Sequence, residues 1–139
     1  MVTPQLTRKI DSVLFALVVF DVFVATVAFG WPDFWFQVIH GVPYNDPQGF
    51  LRRCGANWVA FALLQAMALC RWKKASYWLV LVAGVRFSDV FTDWAYLWFA
   101  SNMTLFGRIG LFLDAPANAL LGWWMLRAYA RVNAPASER

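Results

Sequence analysis

Arg86, Asp89 and Asp93 lie within an otherwise apolar run, and spacings of three and four put all three on one face of a helix. A guanidinium beside two carboxyls can pair charges, hold an anionic or carbonyl group, or pass protons. At membrane depth each ionisable group costs about 2.5 to 3.5 kcal/mol even on lenient insertion scales, so such groups are normally paired, turned inward and functional. Other segments offer partners. Asp21 interrupts the first apolar run, Arg53, Asn57 and Gln65 form a polar stripe in the second, and Asp114 and Asn118 sit four apart in the last. Matching these by depth predicts that Arg86 meets Asp21 or Asp89, and that Arg53 meets Asp93 or Asp114. The expected cluster is therefore Arg53, Asn57, Arg86, Asp89, Asp93, Asp114, Asn118 and Asp21, with Trp58 and Trp94 as aromatic lining and no metal. Pro116 frees a backbone carbonyl close by. The alternative is a network that only fixes helix register, for which one or two polar residues would suffice.

The elements that carry these residues follow from hydropathy. The chain has 139 residues, 61% hydrophobic and 14% charged, with mean hydropathy +0.52, which is more apolar than soluble domains of this size. Four segments approach the roughly 20 residues needed to cross a bilayer, about 10–29, 48–72, 75–100 and 108–130. The expected fold is all-α: an integral membrane four-helix bundle in one domain, 1–139, with a short amphipathic helix at about 32–40 in the first extracytoplasmic loop. That helix is bounded by Pro32 and Gly41, and Trp31, Phe34, Trp35, Val38 and Ile39 form its apolar face. Asp46 is expected to cap a helix begun by Pro47.

Basic residues gather at Arg8 and Lys9, at Arg71, Lys73 and Lys74, and at Arg127, Arg131 and Arg139, whereas the intervening loops carry Asp33 and Asp46. The positive-inside bias predicts cytoplasmic termini in a bacterial inner membrane. The net charge of +4 is accounted for by this orientation and by anionic lipid, so no nucleic-acid partner is expected. Trp31, Trp35, Trp72, Trp78, Trp94, Trp98, Trp123 and Trp124 read mainly as a belt at the interfaces.

Several chemistries are excluded. His40 is the single histidine and falls in the outer loop, which rules out bis-histidine haem and a histidine-rich metal site. Cys54 and Cys70 stand sixteen apart on one helix, about 24 Å at 1.5 Å per residue, too far for a mutual disulfide. No phosphate-binding glycine loop, Ser/His/Asp arrangement or zinc signature occurs.

The stretch Arg52-Arg53-Cys54-Gly55-Ala56-Asn57 opens an Ala- and Leu-rich helix that ends in a basic turn, and a helix with Arg86, Asp89 and Asp93 follows. This pattern, over about residues 52–94, resembles the DoxX-like group of small four-helix bacterial membrane proteins. Asp21 stands where the group's arginine and glycine pattern is expected in the first helix. The resemblance implies a four-helix bundle and association with membrane redox systems acting on sulfur compounds or quinones.

The function expected from these residues is a membrane protein, not an enzyme on its own, that binds an amphipathic ligand such as a quinone or lipid in its Arg/Asp cluster. It needs no intrinsic cofactor. Its partners would be the bilayer, subunits of a membrane redox assembly or further copies of itself. The competing expectations are an oligomer that transports protons, ions or a small solute, and a scaffold subunit without ligand.

Overall fold

The computed structural model describes residues 3–134, which form five α-helices and no strand. Arg139, used above for orientation, lies outside the described residues. Helix α1 (Pro4–Gly30) opens on Thr3, whose Oγ1 accepts a hydrogen bond from the Leu6 amide at 3.3 Å, with Pro4 in the first turn. It therefore starts before the apolar run at 10–29, because a capping pair upstream of Arg8 and Lys9 already ends the coil. Helix α2 (Pro32–His40) stops at Gly41, whose left-handed backbone (φ 67°) lets its N–H bond the Gln37 carbonyl.

Helix α3 (Phe50–Arg71) begins later than Pro47. Asp46 does cap it, but across a turn: Oδ1 accepts from the Phe50 amide and Oδ2 from the Leu51 amide, each at 2.9 Å. Gly49, at φ 70°, makes that turn. Helices α4 (Trp78–Phe99) and α5 (Leu105–Asn133) complete the chain. Thr104 caps α5 by accepting from the Gly107 amide at 3.0 Å.

The expectation of four membrane-spanning helices is overturned. Among the described residues two helices, α1 and α5, are long and apolar enough to cross a membrane. Arg52, Arg53, Asn57, Gln65 and Arg71 dilute α3, and every stretch of spanning length in α4 contains Arg86, Asp89 and Asp93. Length alone, with the charges set aside as local exceptions, had made four runs look equivalent.

The long helices pack as two pairs, α1 with α3 and α4 with α5, while α2 touches the ends of α1 and α5. In α1 the buried stripe runs Ile10, Leu14, Leu17, Asp21, Val24, Ala25 and Ala28, at the three-and-four spacing of a helix face. The pairs share a core at the end away from α2. There Ile10, Leu14 and Leu17 meet Ala68 and Trp72, Leu79, Val82 and Ala83, and Met125 and Ala128. Trp72 belongs to this core, 2% exposed, and not to an interfacial belt. Its indole N–H donates to Asp11 Oδ1 at 2.8 Å, and Lys73 pairs with Asp11 Oδ2 at 2.7 Å.

Candidate functional site

Just beyond the shared core each long helix contributes one buried polar side chain: Asp21 from α1, Gln65 from α3, Arg86 from α4 and Asn118 from α5. All four occupy the buried stripe of their helix, so the packing that buries Leu17, Ala68, Val82 and Met125 also brings these groups together. Asp21 Oδ2 accepts from Gln65 Nε2 at 2.7 Å and from Arg86 Nη2 at 2.9 Å. The same Arg86 nitrogen lies 3.2 Å from Asp89 Oδ2, one helical turn on. Arg86 Nη1 donates to Asn118 Oδ1 at 3.3 Å, and Asn118 Nδ2 donates to Asp93 Oδ2 at 3.4 Å. Asp93 in turn lies within interacting range of Asp114.

The cluster is graded in exposure. Asp21 and Arg86 are 2% exposed at the side chain and Asp89 14%, while Asp93 and Asp114 are half-buried. Two carboxyl groups thus meet one guanidinium directly and two more lie beyond Asn118, and the excess of carboxyls lies on the side away from the shared core. Removing charges from water is costly, so the buried end is kept by pairing and the outer end by access to solvent. Two buried side-chain atoms remain unpartnered among the described residues: Gln65 Oε1, an acceptor, and Arg86 Nε, a donor. The guanidinium occupies the place a cation would take, and among the described residues no three His, Cys, Asp or Glu side chains converge as metal ligands.

Of the residues expected here, the structure brings together Asp21, Arg86, Asp89, Asp93, Asn118 and Asp114, and Arg86 reaches Asp21 and Asp89 at once. Arg53 and Asn57 do not join. Both are exposed on α3 and, among the described residues, have no side-chain hydrogen bond or ion pair. The stripe they seemed to share with Gln65 is not one face, since at 3.6 residues per turn the twelve positions from Arg53 to Gln65 rotate by about 120° away from alignment. Asp93 accordingly meets Asn118 and Asp114 in place of Arg53. Trp58 packs against Trp35, with ring centroids 5.2 Å apart, and Trp94 is half-exposed on a surface lined by Val90, Phe91, Ala95, Trp98 and Phe99. Neither ring contacts the charged groups among the interactions of the described residues.

Sequence reasoning placed Gln65 in the polar stripe of α3 but left it out of the site. Its spacing from Ala62 and Ala68, small apolar residues on the same side, marks the buried face. A second polar centre, at the far end, was missed altogether. His40 Nδ1 bonds the Asn102 carbonyl and its Nε2 bonds the Tyr96 hydroxyl, tying α2 to α4 and the following loop. The carbonyl can only accept, so neutral His40 carries its proton on Nδ1 and accepts from Tyr96. Beside it Thr104 Oγ1 donates to the Val38 carbonyl at 2.6 Å, and the Thr104 amide donates to the Ile39 carbonyl at 2.9 Å. Nothing in the spacing of one histidine and one tyrosine 56 positions apart signals this pairing.

Comparison with protein-family models, with curated proteins and with solved structures found no match, and none of the three lends support to the resemblance to DoxX-like proteins.

Proposed function

We propose that the chain is a membrane protein, anchored through α1 and α5, that binds the polar head of an amphipathic ligand at the Arg86 network. The carrying observation is the pair of unpartnered atoms, Arg86 Nε and Gln65 Oε1, both attached to groups already fixed on Asp21 Oδ2. A buried polar atom without a partner costs about 1–3 kcal/mol. Native proteins keep such atoms where a ligand or ordered water completes them. A hydroxyl can accept from Arg86 Nε–H and donate to Gln65 Oε1, and a carbonyl can take the arginine alone. A quinone, a quinol or a lipid with a free hydroxyl carries such groups on an apolar body. Two crossings leave both termini on one side, and the basic residues Arg8, Lys9, Arg127 and Arg131 favour the cytoplasmic side of a bacterial inner membrane. The protein would act as a binding subunit within a larger membrane assembly.

Decylubiquinone and decane, added to protein in mild detergent, test this reading. Decylubiquinone should raise Tm in a concentration-dependent way, decane should not, and Arg86→Lys, which keeps the charge beside Asp21 but removes the Nε donor, should lose the difference. Equal responses to the two compounds in the unmodified chain would sink it.

A second reading, proton exchange at the cluster, is favoured by the carboxyl excess along Asp89, Asp93 and Asp114. The apolar layer of Leu17, Ala68, Val82 and Met125 closes the network on its inner side, so one chain would exchange protons with one face only. A pyranine-loaded liposome assay separates the readings: transport would need that layer to open and would give net flux, whereas ligand binding gives none.

A further inference from the structure

A long apolar groove of about 570 Å³ runs along the outside of the α1·α3 pair. Ala25 and Ala62, both buried, form its floor, and Val22, Phe29, Val59 and Leu63, all well exposed, form its walls. It extends along α1 from Val18 to Gly30, about 18 Å at 1.5 Å per residue. That is close to one leaflet of a hydrocarbon core about 30 Å thick.

The groove is open along its side and its lining is almost wholly apolar, which suits a hydrocarbon chain laid along it, with a helix from a second copy as the competing occupant. Towards Gly30 the two helices draw together, because Gly55 lets Phe29 and Ala28 approach: a Cβ on Gly55 would lie 3.0 Å from the Phe29 ring and 3.3 Å from Ala28 Cβ.

A cation stands just past that end. Val59, Leu63 and Ala66 line the groove from α3, and Arg52, seven positions before Val59, has the same helical phase to within about 30°. Arg52 is exposed and, among the described residues, has no side-chain hydrogen bond or ion pair, whereas Arg53 points about 100° further round. An apolar channel one leaflet deep with a free guanidinium at its outer mouth complements a phosphate-bearing lipid. We infer that the α1·α3 groove holds an acyl chain of a phospholipid whose phosphate is met by Arg52. The site depends on the chain lying in a bilayer but takes no part in the Arg86 network.

Native mass spectrometry of the full chain released from mild detergent, with dipalmitoyl phosphatidylglycerol or dipalmitoyl glycerol added, tests the inference. The phosphate lipid should be retained and the uncharged one retained less. Arg52→Gln should lower retention of phosphatidylglycerol about fivefold, the worth of one cation near an anionic surface, and leave dipalmitoyl glycerol unchanged. Arg53→Gln should have no such effect, and Val22→Trp should reduce both lipids by filling the groove from its exposed wall. Equal loss in the two arginine variants, equal retention of the two lipids, or a dimer mass abolished by Val22→Trp would each overturn it. Because Arg52 is exposed, its variant keeps the fold and the test remains decisive. Decylubiquinone stabilisation is read separately, so failure here leaves the reading of the Arg86 network standing.

Discussion

Asp21 and Arg86, 2.9 Å apart and each 2% exposed, join two helix pairs that otherwise pack mainly within themselves. The charge pair crosses from α1·α3 to α4·α5 at the level where the shared apolar core ends. A buried ion pair is weak evidence for stability as such, because desolvation offsets much of its attraction. Losing one partner is a different matter.

Arg86→Met should cost about 3–5 kcal/mol, since it leaves Asp21 buried without its counter-charge. The double variant Asp21→Asn with Arg86→Met should be less destabilised than the sum of the single changes. Denaturant titration in mild detergent, read as a double-mutant cycle, measures the coupling. Additive effects would show that Asp21 and Arg86 do not stabilise each other.

Gly107→Ala should detach α2 from the start of α5. A Cβ at Gly107 would lie 2.6 Å from the Ile39 carbonyl oxygen, which is backbone and cannot swing aside. The expected result is faster hydrogen exchange at the Thr104 amide, which bonds that same carbonyl, with exchange in the Ile10 to Leu17 core unchanged. Unchanged exchange at Thr104 would mean that the helix ends tolerate the methyl.

Tyr96→Phe should weaken the same region mildly, by about 0.5–1.5 kcal/mol, as one hydrogen bond to His40 is lost. His40→Leu removes the Asn102 bond as well and should act more strongly. Protease sensitivity of the loop from 100 to 104 orders the two variants, and a reversed order would assign the anchoring to Tyr96 packing instead.

The readable parts of this fold are those written in a single helix. Arg86 and Asp89 are three apart, so their pairing follows from helix geometry, and the capping signals at Pro32 and Gly41 act within one turn. Asp21, Arg86 and Asn118 could be matched by depth because each lies in its helix's apolar stripe. Arg53 and Asn57 failed because phase error accumulates along α3, so residues aligned over one turn diverge over three. The membrane topology misread has a related cause. Arg86, Asp89 and Asp93 were excused as functional exceptions when counting spans, yet those same charges take α4 below the apolarity of a spanning helix. His40 and Tyr96 were invisible because their contact depends on where α2 comes to rest.

Trp72 gives the sharpest contrast between surface and core roles, and Asp11 is the residue that tests it. A belt tryptophan keeps its N–H near water, but Trp72 is buried in the core that holds Ile10, Leu14 and Leu79 and needs Asp11 Oδ1 as acceptor. Lys73, by contrast, is more than half exposed in its pair with the same carboxylate, and such exposed pairs contribute about 0–1 kcal/mol. Asp11→Asn keeps an oxygen for the indole and loses the ion pair, so it should be nearly neutral. Asp11→Ala strands the indole N–H and should cost about 1–3 kcal/mol. Chemical denaturation of both variants, with Lys73→Met beside them, decides the matter: equal costs for the Asn and Ala changes would place the worth of Asp11 in its charge and return Trp72 to an interfacial role.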